Sequence, residues 1–307
     1  MHPLIKALAA LTMGAFTVYH MSHKKKSVPR LPVGESLYFL SEKKGATKEG
    51  IPVYYFRPPT WTDEDPVFIA FPGYTRNAKG FAKRLESLAV KYNMVIACPE
   101  FSTKKYPGAC CYQEGNMTDK DDMTGTIQPR KKWNFDTIDR LVEAIRARAH
   151  AKGKVLLFGH SAGGQLMHRY SLFSEGATAD AILCANAGWF TMPDRHIPFP
   201  YGIQNLDSND RELIRAFSRP VILLMGSLDV SREKPFRDTK EADAQGRTRM
   251  ERCQNYFHAC EAKAKELHAT FCWQIHVVDG AAHEGGKMAE GAMKLFAEDT
   301  MDEEIPR

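Results

Sequence analysis

The spacing of apolar residues along the chain predicts two extended segments followed by a repeated alternation of strands and helices. The extended segments, 36–40 and 51–56, are rich in β-branched and aromatic residues, and two prolines end the second one. After them, short fully apolar runs alternate with stretches whose apolar residues recur at helical intervals. Strands are predicted at 67–71, 94–98, 155–158, 181–185, 221–225 and 271–278, and helices at 78–92, at 135–150, after residue 161, between the last two strands and after residue 283.

Short apolar strands that alternate with helices are typical of a parallel sheet covered by helices on both faces. The chain is therefore predicted to have an α/β fold with an antiparallel edge. Two long insertions, 101–133 and 188–219, each follow the C-terminal end of a predicted strand. Because ligands of open parallel sheets bind at that edge, we interpret both insertions as walls of a substrate cleft. Surface excursions without a function are the alternative.

The first 34 residues are treated separately from the predicted domain at 35–307. Residues 4–21 are mostly apolar but are interrupted by Lys6, and His-Lys-Lys-Lys follows rather than a small-residue cleavage site. The basic run on the C-terminal side favours an uncleaved membrane anchor with the following domain in the cytoplasm, whereas an exported signal peptide would carry its charge first. A surface helix or an extension without fixed structure is the alternative.

Charge argues against a nucleic-acid partner. The chain has 42 Lys and Arg against 37 Asp and Glu, a net charge of +5. The excess comes from five bases that precede the first acid, Glu35, and without them 37 bases face 37 acids. A broad basic surface for phosphate backbones is therefore not expected.

The seven cysteines indicate a largely reduced protein. Their count is odd and their spacing irregular, so a complete disulfide framework is not implied. Cys98 and Cys184 lie in apolar strand-like runs, where a free cysteine usually behaves as a small buried apolar residue.

The candidate chemistry begins with Gly-His-Ser-Ala-Gly-Gly at 159–164, a G-x-S-x-G motif between a predicted strand and a predicted helix. A serine hydroxyl is a weak nucleophile in water, so it needs a nearby base and a sharp turn that projects it. The flanking glycines leave room for such a turn. The N-terminus of the following helix stabilises developing negative charge. The motif therefore predicts that Ser161 is a nucleophile.

Between about residues 37 and 296 the chain resembles the α/β-hydrolase superfamily in its order of strands and in this strand–turn–helix motif. Cys-Pro-Glu-Phe at 98–101, Tyr-Pro-Gly at 106–108 and the loop at 72–78 are similar to the polyhydroxybutyrate-depolymerase and feruloyl-esterase-like branch. The resemblance implies a mostly parallel central sheet flanked by helices on both faces, with long loops over the active site.

The resemblance also implies that an acid and then a histidine follow the nucleophile along the chain. Asp229 stands just after the strand at 221–225 in a G-x-x-D turn, and His283 follows the last strand. An ordinary turn or helix-capping aspartate and a surface-loop histidine are the alternatives. The rival acids at 207, 210 and 238 lie in polar loops, and His160 is interpreted as part of the turn around Ser161.

Two backbone N–H groups would stabilise the oxyanion of an acyl-transfer intermediate. The residues expected to supply them are Tyr74 and Ala162. The family usually has His-Gly in the loop after its third strand, and here the run at 71–74 is Phe-Pro-Gly-Tyr. The glycine is kept and the histidine is absent, so the loop that carries the Tyr74 donor departs from the family pattern.

Four aromatic residues of the insertions are candidates for lining a substrate pocket, with core packing as the alternative. They are Trp189, Phe190, Tyr112 and Trp133. The acidic residues at 119, 121 and 122 lack the glycine and glutamate spacing of a recognised calcium loop, so no metal is expected.

These features together predict a serine hydrolase that cleaves a small or polymeric carboxylic ester through an acyl-enzyme, without a cofactor. A thioesterase, a peptidase or an acyltransferase would use the same three residues. A non-catalytic binding module on a hydrolase fold, tethered to a membrane through residues 1–34, is the non-enzymatic alternative.

Overall fold

The computed structural model of the protein describes residues 29–121, 123–233 and 235–297, and these form eight strands and seven α-helices. The strands are β1 (Gly34–Leu40), β2 (Ile51–Arg57), β3 (Val67–Phe71), β4 (Val95–Pro99), β5 (Val155–His160), β6 (Ala181–Ala185), β7 (Val221–Gly226) and β8 (Gln274–Val278). The helices are α1 (Ala78–Tyr92), α2 (Phe135–Ala149), α3 (Ala162–Phe173), α4 (Asp210–Phe217), α5 (Lys240–Asp243), α6 (Arg249–Glu266) and α7 (Gly285–Ala297).

The strands form one sheet in the order β1-β2-β4-β3-β5-β6-β7-β8. β1 pairs antiparallel with β2 and β2 antiparallel with β4, and every other pairing is parallel. Every residue of the inner strands from β3 to β7 is buried. This explains why their sequences read as continuous apolar runs rather than as an alternation. The predicted α/β architecture is therefore confirmed, including its antiparallel edge.

Helices cover both faces of the sheet and create one hydrophobic cluster on each side. On one face, residues such as Ile69, Leu157 and Leu223 pack with buried residues of α2, α3, α4 and α6. On the other face, residues such as Phe68 and Phe158 pack with α1 and α7. Neighbouring residues of one strand thus enter opposite clusters, as the pleat requires. The sheet is consequently the shared centre of both layers.

Two segments differ from the sequence prediction. The last strand begins at Gln274 rather than at 271 because Cys272 donates its backbone N–H to Phe217 O (2.9 Å) and the Trp273 indole donates to Ala216 O (2.9 Å). These residues therefore pack on the end of α4 instead of pairing in the sheet. The insertion at 188–219 contains α4 itself, which starts with a capping box between Asn209 and Glu212.

Most of the segment interpreted as an anchor, residues 1–28, lies outside the described residues. Among the helices that the structure describes, none combines the length and the apolar character needed to cross a membrane. All seven cysteines are free, and Cys98 and Cys184 are buried in the sheet, as the sequence predicts for small apolar side chains.

Candidate active site

Ser161 stands at the sharp turn between β5 and α3. Its backbone has φ 56° and ψ −112°, a conformation that non-glycine residues rarely adopt and that costs about 1–3 kcal/mol. Two hydrogen bonds hold the turn: Ser161 N–H donates to Ala185 O (2.9 Å), and Gln165 N–H donates to Ser161 O (2.9 Å). The surrounding sheet and helix therefore impose the strained backbone that projects the hydroxyl.

Glycines around Ser161 allow the backbone segments of the turn to approach each other closely. A Cβ added at Gly159 would lie 2.1 Å from Gly163 O, and one added at Gly163 would lie 2.2 Å from Phe71 O. Neither separation is compatible with a side chain. The glycines of the motif are thus required by backbone contacts, and one contact presses the turn against the end of β3.

The three residues predicted for acyl transfer form a continuous hydrogen-bonded chain. His283 Nε2 lies 3.0 Å from Ser161 Oγ, and His283 Nδ1 lies 2.7 Å from Asp229 Oδ2. Asp229 is only 2% exposed, whereas the His283 side chain is 28% exposed. This order suits proton transfer from a serine, because the chain runs from a projecting hydroxyl through a partly accessible imidazole to a buried acid.

Asn186 fixes the two turns that carry Asp229 and His283. Its side-chain oxygen accepts from Gly226 N–H (2.8 Å), and its amide nitrogen donates to Ala282 O (3.0 Å). The backbone adds Leu228 N–H to Ala281 O (2.9 Å). One side chain at the end of β6 therefore sets the distance between the turns that follow β7 and β8.

Arg249, the first residue of α6, binds the oxygen of Asp229 that does not face His283. Its Nη1 donates to Asp229 Oδ1 (3.1 Å) and to Ser231 O (3.2 Å), and its Nη2 donates to Pro235 O (2.9 Å). Arg249 is 5% exposed, so the pair is shielded from solvent. With one oxygen bound by Arg249 and the other by His283, the carboxylate is held against rotation.

His160 packs against the imidazole of His283, with ring centroids 4.8 Å apart and ring planes 45° apart. It is buried, and burial holds its pKa well below the usual range of histidine, with the nearby His283 acting in the same direction. His160 is therefore neutral at physiological pH. It forms part of the wall behind His283 rather than a second base, in line with the interpretation made from the sequence.

The loop after β3 lies directly beside Ser161. A Cβ at Gly73 would be 3.5 Å from Ser161 Cβ, and Tyr112 Oη donates to Pro72 O (2.6 Å). Arg76 ties the same loop to the first insertion by donating to the carbonyl oxygens of Tyr106 and Gly108. Although the family's histidine is absent, the loop backbone is therefore supported next to Ser161.

Two cavities have Ser161 in their lining. One, of about 250 Å³, is lined by Ser161, the predicted oxyanion residues Tyr74 and Ala162, and residues of three loops. The other, of about 240 Å³, is lined by Ser161, Tyr74, His160 and His283 together with residues of α1 and its preceding loop. The serine therefore borders both cavities at the C-terminal edge of the parallel strands, where α/β sheets bind ligands.

Of the four aromatic residues predicted to line a pocket, the structure places only Trp189 against the cavity beside Ser161. Phe190 stacks on Tyr256 within the core (4.4 Å between centroids), and Trp133 packs between Phe135 and Phe173. Tyr112 is buried beneath the loop after β3. These three side chains are core or support residues, because the large apolar rings of the insertions turn towards the body of the protein.

Comparison with solved structures gives two neighbours that match most of the chain. A poly(aspartic acid) hydrolase from Sphingomonas sp. KT-1 has a TM-score of 0.77 and 28% identity, over 86% of this chain and 99% of that one. A poly(3-hydroxybutyrate) depolymerase from Bordetella parapertussis has a TM-score of 0.77 and 26% identity, over 90% of this chain and 93% of that one. This chain is an α/β-hydrolase. No protein-family model matches it, and neither does any curated protein.

Several residues of the hydrolase's cleft have no signal in the sequence. Pro235, Phe236 and Arg237 belong to a third loop, between β7 and α6, and line the cavity that contains Trp189. Gln113 from the first insertion and Gln165 from α3 complete that wall. Sequence spacing does not reveal them because the loop residues lie in segments without periodicity and Gln165 is a single polar residue on a predicted helix.

The described residues of the hydrolase contain no group of three or more His, Cys, Asp or Glu side chains placed to hold a metal ion. In the acidic segment, Asp121 Oδ1 accepts from Cys110 N–H (2.6 Å) and Asp119 Oδ1 accepts from Thr126 N–H (2.7 Å). Asp122 lies outside the described residues. The two described acids hence stabilise loop backbone.

Proposed function

We propose that this α/β-hydrolase cleaves carboxylic esters through an acyl-enzyme formed on Ser161. The observation that carries the proposal is the hydrogen-bonded chain from Ser161 Oγ through His283 to Asp229, which starts at a strained turn. A conformation that costs free energy at a projecting hydroxyl beside a histidine is typical of a nucleophile. The similarity to a poly(3-hydroxybutyrate) depolymerase supports an ester as the substrate.

In the proposed mechanism, His283 Nε2 accepts the proton of Ser161 as Oγ attacks the ester carbonyl. Asp229 keeps Nδ1 protonated and stabilises the imidazolium. The N–H groups of Ala162 and Tyr74 bind the oxyanion. His283 then gives its proton to the departing alcohol, and water, deprotonated by His283, releases the acid and restores the serine.

The same steps assign the two cavities. His283 must reach the oxygen of the leaving alcohol in order to protonate it, so the cavity lined by His283 takes the alcohol. The cavity lined by Ala162 and Trp189, which His283 does not line, takes the acyl group. This orientation applies to any acyl compound that the serine attacks.

Replacing the nucleophile tests the proposal. We expect Ser161→Ala to lower kcat for 4-nitrophenyl butyrate by at least roughly 1,000-fold, because no other hydroxyl occupies the turn. A fluorophosphonate probe should label Ser161 alone, as peptide mass spectrometry would show.

Ser218→Ala is the matched control, since this serine stands at the end of α4 and donates to Arg215 O there. It should retain full activity, and both variants should keep the thermal midpoint of the unchanged protein. Undiminished turnover by Ser161→Ala would remove the proposed mechanism. A folded protein that resists the probe would favour the binding-module alternative.

An amide substrate is the second candidate, supported by the similarity to the poly(aspartic acid) hydrolase. The three residues would act in the same way, with His283 protonating an amine instead of an alcohol. Incubation with poly(aspartic acid) and, separately, with a poly(3-hydroxybutyrate) film distinguishes the two. New amino groups would indicate amide cleavage, and soluble hydroxy acids would indicate ester cleavage.

A further inference from the structure

The charged side chains that line the acyl-side cavity are all cations. Arg237 and Arg249 line it, and no acidic residue is among its described lining residues. Gln165 also lines it, and its side-chain oxygen accepts from Gln113 Nε2 (3.4 Å), so the NH₂ group of Gln165 is the one left to donate. Because Arg249 is already paired with Asp229, the positive charge of this cavity depends on Arg237.

Arg237 is held in place by two aromatic residues. Its guanidinium carbon lies 5.1 Å from the centre of the Trp189 ring, and its Nε donates to Tyr201 Oη (2.9 Å). With Nε occupied, the two Nη groups are the ones that can bind a carboxylate side by side. Stacking on an indole and one hydrogen bond thus orient the fork of the guanidinium at the cavity wall.

A second guanidinium reinforces the positive charge at Trp189. Arg169 is fully buried, lies 4.3 Å from the Trp189 ring centre, and donates to the backbone oxygens of Gln113 (2.9 Å) and Gln165 (3.1 Å). Burial lowers the pKa of Arg169 to about 10, so it remains protonated at neutral pH. Both carbonyl oxygens are uncharged acceptors, so these hydrogen bonds do not neutralise the positive charge of Arg169.

One buried carboxyl group interacts with both arginines. Glu114 is buried, and burial raises its pKa above the usual range of glutamate even though Arg169 and Arg237 act in the opposite direction. Among the described residues, two guanidinium groups lie against Trp189, and this one carboxyl group acts on both of them. The two cations outnumber that carboxyl group whether or not it is ionised, so the Trp189 side of the cleft favours an anion.

We propose that this cavity binds a carboxylate carried by the acyl group of the substrate, with Arg237 as the residue that determines this specificity. The substrate class is then the monoesters of dicarboxylic acids, or acidic chains that carry a carboxylate on the acyl side of the bond that is cleaved. The inference rests on the proposed function, because it takes the acyl side from the role of His283.

The test compares two 4-nitrophenyl esters of similar length, the adipate monoester, with a terminal carboxylate, and the neutral hexanoate, after subtraction of spontaneous hydrolysis. We expect kcat/KM to be higher for the adipate ester. In Arg237→Gln the ratio of adipate to hexanoate should fall by roughly tenfold, as expected for loss of a charge-assisted hydrogen bond at a partly exposed site. Arg237→Lys should keep part of the preference for the adipate ester. In the unchanged protein, about 0.5 M NaCl should reduce the ratio of adipate to hexanoate, because salt screens interactions between exposed charges.

Arg148→Gln is the matched control. Arg148 also stacks on an aromatic ring, 4.5 Å from the centre of Tyr38, but it lines neither cavity at Ser161. This variant removes one positive charge and one stacked guanidinium and should leave the ratio unchanged. The inference would be overturned if Arg237→Gln and the unchanged protein had equal ratios, or if the unchanged protein preferred hexanoate. Turnover of hexanoate would still uphold the proposed function in either case. Turnover of neither ester would overturn both.

Discussion

At the scale of single residues, the site depends on a contact that neither motif nor spacing reveals. Asp229 has two carboxylate oxygens; one binds His283 and the other binds Arg249, which is 20 residues away in the sequence. Without this cation, a buried carboxylate would face only an imidazole that changes its charge during the reaction. Arg249 is therefore a positioning residue for the acid.

We expect Arg249→Met to lower kcat/KM by at least about tenfold, because a carboxylate free to rotate misplaces His283 relative to Ser161. Arg249→Lys should recover part of the loss, since it keeps a cation next to Asp229. Steady-state kinetics on 4-nitrophenyl butyrate would measure both.

Arg219→Met provides the comparison for a purely structural loss. Arg219 is also a buried arginine, and it donates to Ser171 O (2.7 Å) and to Ser174 O, away from Asp229. This variant should lose thermal stability but retain the kcat/KM of its folded fraction. A folded Arg249→Met protein with undiminished kcat/KM would show that Asp229 needs no second partner.

The sequence predicts those residues of the site whose positions follow from the order of elements. Ser161, Asp229 and His283 each come just after a strand of one parallel sheet, and the carboxyl ends of such strands meet at one edge. Whether an aromatic residue of a long loop faces a cavity or the core depends instead on the tertiary path of that loop. For this reason Trp189 lines the cavity while Phe190, the next residue, lies in the core.

At the scale of elements, backbone contact fixes the turn at Ser161 relative to β3. Gly163, in the first turn of α3, leaves its Cα so close to Phe71 O that no side chain fits. The same close approach brings the loop that carries Tyr74 beside Ser161, the proposed nucleophile. The contact between α3 and β3 thus fixes the positions of both predicted oxyanion donors, Ala162 and Tyr74.

We expect Gly163→Ala to lower the free energy of unfolding by about 1–3 kcal/mol and to reduce activity as well, because the added methyl group must push α3 away from β3. Gly286→Ala, at the start of α7, adds the same methyl group where nothing lies within 4 Å, and should keep both stability and activity. Thermal unfolding and butyrate hydrolysis would be measured for both variants. Equal behaviour of the two would contradict the role assigned to the contact.

Most elements could be predicted because buried parallel strands have a continuous apolar pattern and the helices beside them have apolar faces. The prediction of 78–92 matches α1, and Asn93, the residue that caps its C-terminal end, is in the left-handed conformation. The prediction fails at 271–273 because an apolar run does not reveal whether it pairs with a strand or packs on a helix. The position of residues 235–237 in the cleft could not be predicted, because this loop mixes turn residues with charged ones and has no hydrophobic periodicity.

At the scale of the whole molecule, the sheet carries one hydrophobic cluster on each face, and no disulfide contributes to holding them together. All seven cysteines are free, including Cys110 and Cys111, whose sulfur atoms lie 3.7 Å apart. Stability therefore comes from the apolar residues on both faces of the sheet and from the hydrogen bonds between strands.

We expect dithiothreitol to leave the thermal midpoint unchanged within about 1 °C, because no cross-link constrains the unfolded chain. Differential scanning calorimetry with and without the reductant would measure this. A midpoint several degrees lower in the reductant would show that two of the thiols are bonded in the protein as purified.

The close approach of Gly163 to the end of β3 places the hydroxyl that is proposed to react. Other parts of the chain line the cavity and so determine which substrate is accepted. The turn at Ser161 is positioned by main-chain contact with β3, whereas most of the wall of the cavity that is proposed to take the acyl group consists of residues from three loops. Exchanging the segments around 188–189 and 235–237 by loop grafting should therefore change which acyl groups the enzyme accepts, while the turn at Ser161 keeps its position. The sheet thus fixes the turn at Ser161, while the loops that line the cavity can be exchanged.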